Sequence, residues 1–107
     1  PLGAKVLNKY LESLNCKKHI IIGMMSNKDH KRYINYFKNI SSLTTIDIPN
    51  QPNAINGKEL KKKLNDFPNV SYKESIEDAI NSISLSNSDV ILITGSLYLA
   101  GEVLNLN

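Results

Sequence analysis

Three short stretches hold the residues best suited to grip an anion. The first is Gly23-Met24-Met25-Ser26-Asn27-Lys28-Asp29. It lies between an apolar run and a helical pattern. Backbone N–H groups and the positive end of a helix therefore share one space, and Lys28 adds a mobile cation. A carboxylate suits such a place. The plainer reading, which spacing alone favours, is a capped helix whose lysine points into water. The second stretch, Ile48-Pro49-Asn50-Gln51-Pro52-Asn53-Ala54, offers amides and rigid prolines, as a cleft wall or as a connector chosen for its turn residues. The third is Thr94-Gly95-Ser96-Leu97-Tyr98. Glycine lets a ligand approach the backbone, and the Ser96 hydroxyl either holds a carboxylate or caps the helix that begins there, capping being the plainer reading. Tyr98 reads as packing, with its hydroxyl at the surface.

Other chemistries lack their residues. There is no G-x-x-x-x-G-K-[ST], because Gly57-Lys58 is followed by Glu59 and has no glycine five residues before it. There is no G-x-G-x-x-G. His19 and His30 are far apart, and neither has a nearby Ser or Cys arranged as a triad. His19 is expected to lead into a strand and His30 to sit on the exposed first turn of a helix. Cys16 is alone, which rules out an internal disulfide and zinc spacing, and it reads as a small half-buried hydrophobe. No catalytic residue and no metal ligand is assigned.

With 107 residues and 41% apolar content, the chain suits one domain with a small core. The net charge of +3 is scattered. Lys58, Lys61, Lys62 and Lys63 form the one dense basic run, at helical spacing and without interleaved aromatics. A solvated helix face explains them better than a nucleic-acid surface, and Arg32 is the only arginine. No run of about 18 apolar residues is present to span a membrane, and no signal peptide is seen. A reducing cytoplasm is expected.

The elements that would position these stretches alternate. A helix is predicted over about Leu2 to Leu14, with Leu7, Tyr10, Leu11 and Leu14 on one face. The run around Ile20-Ile21-Ile22, from His19 to Met24, reads as a buried strand. Ser26 and Asp29 match a capping box ahead of a helix that turns Tyr33, Ile34, Phe37 and Ile40 inward. A strand follows over Leu43–Ile48, then a lysine-rich helix over about Gly57 to Asn65, and a strand at Val70–Tyr72. Ser75 and Asp78 form a second capping box before a helix burying Ile76, Ala79, Ile80 and Ile83. Val90–Thr94 is the most apolar strand, and a last helix is expected from Leu97 to about Leu104. This order predicts an α/β fold, a three-layer αβα Rossmann-like domain with a mostly parallel sheet. Parallel sheets bind ligands beyond the carboxyl ends of their strands, where all three stretches fall.

Together the motifs resemble a family. Ile91-Leu92-Ile93-Thr94-Gly95-Ser96-Leu97-Tyr98-Leu99-Ala100-Gly101-Glu102-Val103 resembles the closing signature of folylpolyglutamate synthases. Gly23-Met24 followed by Lys28-Asp29 resembles their "G-M-x-x-x-K-D". Pro1-Leu2-Gly3-Ala4 resembles the segment just after their Asp-Gly-Ala-His-Asn motif, so Pro1 is taken as native. The resemblance implies a Mur-ligase-type C-terminal domain over residues 1–107 of a folylpolyglutamate or dihydrofolate synthase. Such enzymes are ligases that use ATP and Mg²⁺ to join L-glutamate to dihydropteroate or folate through an acyl phosphate. The N-terminal P-loop domain that would hold ATP is absent from these residues, so the chain alone is expected to be inactive and to bind neither cofactor. By the same resemblance Lys28 and Ser96 hold the glutamate carboxylates, and Asp29, Asn53, Gly95 and Tyr98 line the cleft. Asn53-Ala54 departs from the family's usual Arg-Ala. The implied partners are the P-loop domain, glutamate and the folate or dihydropteroate substrate, with no nucleic acid and no membrane, in a monomer. The alternatives are a peptidoglycan-type Mur ligase domain and a stand-alone Rossmann-like binding domain.

Overall fold

The computed structural model describes residues 5, 6, 9, 17–85 and 89–95. Within them four strands form one sheet: β1 (Lys18–Ile22), β2 (Ser42–Ile46), β3 (Val70–Lys73) and β4 (Val90–Thr94), in the order β3-β2-β1-β4. Every pairing is parallel, with Ile20 opposite Leu43 on one side and Leu92 on the other, and Leu43 opposite Val70. Parallel neighbours need a crossover between them. Helices α1 (His30–Ile34), α2 (Gly57–Lys63) and α3 (Ile76–Ser82) lie in these connections.

The central strand explains the layering. Ile20, Ile21 and Ile22 are all fully buried, so both faces of β1 are covered. Ile20 and Ile22 join Ile34, Phe37, Leu43, Leu60 and Leu64 in the core beneath α1 and α2. Ile21 points the other way and packs with Ile46, Ile48, Ile76 and Ala79 beneath α3. The alternation of side chains along a strand sends adjacent isoleucines into different layers. Burying one such side chain stabilises the fold by roughly 1.5–3 kcal/mol. The result is the expected αβα arrangement with an all-parallel sheet.

The strands stop where their backbone groups find other partners. The Met24 carbonyl accepts from Ile55 N at 2.9 Å rather than from a strand, so β1 ends at Ile22 instead of running to Met24. At the end of β2 the Asp47 carboxylate accepts from Gly57 N at 2.7 Å and from the Tyr72 hydroxyl at 2.5 Å. This pair of hydrogen bonds fixes the start of α2 against β3. Gly57 has no room for a side chain there, because a Cβ would lie 2.5 Å from the Tyr72 ring.

The capping boxes fare differently. Ser75 caps α3 as expected, accepting from Asp78 N at 3.1 Å, with Glu77 and Asp78 in the favoured first turn. Ser26 does not cap α1. Asp29 does, accepting from Arg32 N at 3.2 Å, because Ser26 is held elsewhere by the second loop. This later start turns His30 inward. It is buried, not exposed as expected, and its Nε2 donates to the Met25 carbonyl at 3.0 Å.

His19 also does more than lead into β1. Its Nδ1 lies 2.7 Å from Ser42 Oγ and its Nε2 3.3 Å from Asp89 Oδ2, a Ser-His-Asp line that separations of 23 and 70 residues conceal. The His19 and Asp89 side chains are only 10% and 4% exposed and stand at the amino ends of the strands. The line braces the starts of β1, β2 and β4. Of the predicted first helix, Lys5, Val6 and Lys9 are described, and they are helical. Its apolar face, Cys16 and the predicted last helix lie outside the described residues.

Candidate functional site at the carboxyl edge of the sheet

The first two loops are joined to each other. Ser26 N and Ser26 Oγ both donate to the Asn53 carbonyl, at 2.9 and 2.8 Å, and Met25 forms an antiparallel bridge with Ala54. Asn53 therefore belongs to this edge through its backbone. The segment that supplies Lys28 is held from two sides, by Asn53 and by His30. Lys28 N also donates to the Met25 carbonyl, at 3.4 Å, which closes the turn. A long, mobile cation thus stands on an ordered base.

The third loop begins beside the first. Gly23 N donates to the Thr94 carbonyl at 3.3 Å. Gly95 has φ of +113°, a left-handed backbone region that glycine tolerates, and a Cβ there would run into the Gly23 carbonyl. The Tyr33 hydroxyl lies 2.5 Å from Thr94 Oγ1, so α1 is tied to the end of β4. Gly95 is placed on the same edge as Lys28 and Asn53. Ser96 and Tyr98 lie outside the described residues.

Lys28 faces a groove of about 320 Å³ lined also by Met24, Asp29, Arg32 and Tyr33. Its lining is mostly apolar and belongs to residues that include two cations and one carboxylate, while the Tyr33 hydroxyl is engaged by Thr94. The carboxylate of Asp29 is engaged as the cap of α1. Lys28 supplies a point charge, and Arg32 a planar fork that can take a carboxylate through two N–H groups. The arrangement suits a small molecule with more than one carboxylate. In the sequence Arg32 serves only as an argument against phosphate binding. Its spacing of four residues from Lys28, with α1 beginning between them, is the signal that could have found it. Among the described residues no group of three His, Cys, Asp or Glu is placed to hold a metal ion, and no helix is long and apolar enough to cross a membrane.

The all-parallel sheet with helices on both faces defines a Rossmann-like domain. The family is shown by the sequence as a whole: residues 1–97 match the family described as Mur ligase, glutamate ligase domain, and the chain belongs to that family. No curated protein matches the chain in sequence. Solved structures resemble it in fold. A Mycobacterium tuberculosis folylpolyglutamate synthase complexed with ADP and AMPPCP superposes with a TM-score of 0.84 at 20% identity, covering 99% of this chain and 27% of its own. A Thermotoga maritima folylpolyglutamate synthase gives 0.84 at 24% identity, covering 99% of this chain and 25% of its own. A bifunctional folylpolyglutamate synthase/dihydrofolate synthase with Mn, AMPPNP and L-glutamate bound gives 0.76 at 15% identity, covering 96% and 25%. The chain spans about a quarter of the length of these proteins.

Proposed function

We propose that this chain is the glutamate-binding C-terminal domain of a folate-type ligase, one that joins L-glutamate to dihydropteroate or folate. The observation that carries the reading is the placement of Lys28. It stands on a braced loop at the carboxyl edge, in one groove with Arg32, within a glutamate ligase domain. Lys28 holds one carboxylate of the incoming glutamate, and the Ser96 hydroxyl, a short directional donor just past Gly95, holds another. Asp29, Asn53, Gly95 and Tyr98 line the cleft around them. Fixing both carboxylates leaves the amine to be presented in one direction, which is how a binding domain lowers the entropic barrier to amide formation. The fold of the folylpolyglutamate synthases and the Thr94-Gly95-Ser96-Leu97-Tyr98 stretch both favour the folate branch over a peptidoglycan-type ligase or a stand-alone binding domain.

The sequence carries no P-loop motif, and among the described residues no group of three His, Cys, Asp or Glu is placed to hold a metal ion. In this reading a P-loop domain of the same polypeptide binds ATP and Mg²⁺, and the acyl phosphate of the folate substrate is made there. The working protein is a cytoplasmic monomer. The test is a ligation assay on the polypeptide that carries this domain together with a P-loop domain. Phosphate release from ATP should require L-glutamate and dihydropteroate or a folate. Release that depends instead on a peptidoglycan precursor contradicts the proposal.

A further inference from the structure

The peptide between Met25 and Ser26 is clamped at both ends. Its N–H donates to the Asn53 carbonyl at 2.9 Å, and its C=O accepts from His30 Nε2 at 3.0 Å. The two groups of a trans peptide point in opposite directions, so the clamps act from opposite sides. The second loop supplies one and α1 supplies the other. The same carbonyl also accepts from Lys28 N, but at 3.4 Å, beyond the usual range of about 2.7–3.2 Å. That weak contact closes the turn only while the carbonyl keeps its direction, and the His30 ring sets that direction. The ring is 6% exposed, so water competes little for the carbonyl it holds. His30 also lines a groove of about 450 Å³ bounded by Lys28 and Lys31 and, across it, by Lys62 and Lys63 of α2. A flexible donor of similar reach therefore has room to take its place.

We propose that His30 is a positioning residue for glutamate binding: through the Met25 carbonyl it holds the turn that aims Lys28 at a glutamate carboxylate. The proposal rests on the reading of Lys28 as a glutamate ligand. A lysine ammonium rides on a flexible four-carbon stem, so the backbone at its base decides where it can reach. A base free to swivel spreads the ammonium over many positions, and binding must then order the turn as well as the side chain. His30 touches no substrate in this role. It orders the turn before glutamate arrives, so that less freedom is lost on binding.

The test uses the complete ligase and steady-state kinetics with L-glutamate and ATP varied in turn. His30→Phe keeps a ring but has no donor, whereas His30→Gln restores an N–H donor at similar reach. If melting shows that the fold does not accept His30→Phe, His30→Met, flexible and without a donor, takes its place. The donor-less variant should raise the KM for L-glutamate about three- to tenfold and leave kcat and the KM for ATP within about twofold. His30→Gln should return the glutamate KM to within about twofold of the parent. In a Lys28→Ala background the donor-less variant should add nothing, because the residue it acts through is gone. A histidine that only supports the fold would raise the glutamate KM equally in both backgrounds, or lower kcat with KM kept. Either result overturns the proposal, as do equal losses in the donor-less variant and His30→Gln, or an unchanged glutamate KM in the donor-less variant. An unchanged glutamate KM in Lys28→Ala contradicts instead the reading of Lys28 on which the proposal stands.

Discussion

The hydroxyl of Tyr33 and Oγ1 of Thr94 lie 2.5 Å apart, across 61 residues of chain. This bond links the helix that follows the Lys28 loop to the strand that ends at Gly95. Its loss should loosen one side of the proposed glutamate site relative to the other. A neutral hydrogen bond contributes a net ~1 kcal/mol. Tyr33→Phe and Thr94→Val should each lower stability by about that amount. In the complete ligase each should raise the KM for glutamate severalfold and leave that for ATP unchanged. The double variant should be little worse than either single one, since both remove the same bond. Strictly additive losses, read from denaturant unfolding, would show that the two hydroxyls act apart.

Gly95→Ala should be more damaging. Its φ of +113° disfavours any side chain, and the new Cβ would meet the Gly23 carbonyl at the start of the first loop. Backbone strain and overpacking each cost about 1–3 kcal/mol. We expect a loss of about 2–6 kcal/mol by chemical denaturation. Parental stability in this variant is the contrary result.

The Tyr72–Asp47 bond sets a dependence on alkaline pH. Donation to the Asp47 carboxylate, with burial adding to it, pushes the Tyr72 hydroxyl up to about 12 from an ordinary 10.0. The folded state thus keeps a proton that the unfolded state releases first. The stabilisation is complete below pH 10 and is lost as pH rises from about 10 to 12. The stability of the parent should therefore fall more steeply over that window than that of Tyr72→Phe, measured by urea unfolding at each pH. Parallel pH profiles would remove the Asp47 bond as the cause.

Much of the framework was legible because its signals are local. Ile20-Ile21-Ile22 and Val90–Thr94 are β-branched or apolar runs that only a doubly covered sheet accommodates, and they form β1 and β4. Ser75 caps α3 because nothing distant competes for it. Ser26 has the same local pattern and fails as a cap, since Asn53, 27 residues away, takes its hydroxyl. The burial of His30, the His19 brace and the Tyr33–Thr94 link likewise depend on partners that only the folded topology brings near. Of the candidate residues, Lys28 and Gly95 lie at the carboxyl edge where strand-end loops were expected to put them, while Arg32, which lines the same groove as Lys28, was not singled out. The lysines of α2 were correctly placed on an exposed face, but no spacing rule reveals that the face borders Lys28.

The chain carries no phosphate-cradling motif. Purified alone, it should release no phosphate from ATP, with or without glutamate and folate. Turnover that persists through further purification, and that is lost in Lys28→Ala, would reveal a nucleotide site within these residues.

The most direct test concerns Lys28 itself. A hydrogen bond to a charged group contributes roughly 1.5–3 kcal/mol, so Lys28→Ala in the complete ligase should raise the KM for L-glutamate by about ten- to a hundredfold. The KM for ATP should stay within about twofold, because no phosphate contact is assigned to this loop. Steady-state kinetics with each substrate varied in turn make the measurement. A selective rise for glutamate is the predicted result; an unchanged glutamate KM, or an equal rise for ATP, contradicts the account.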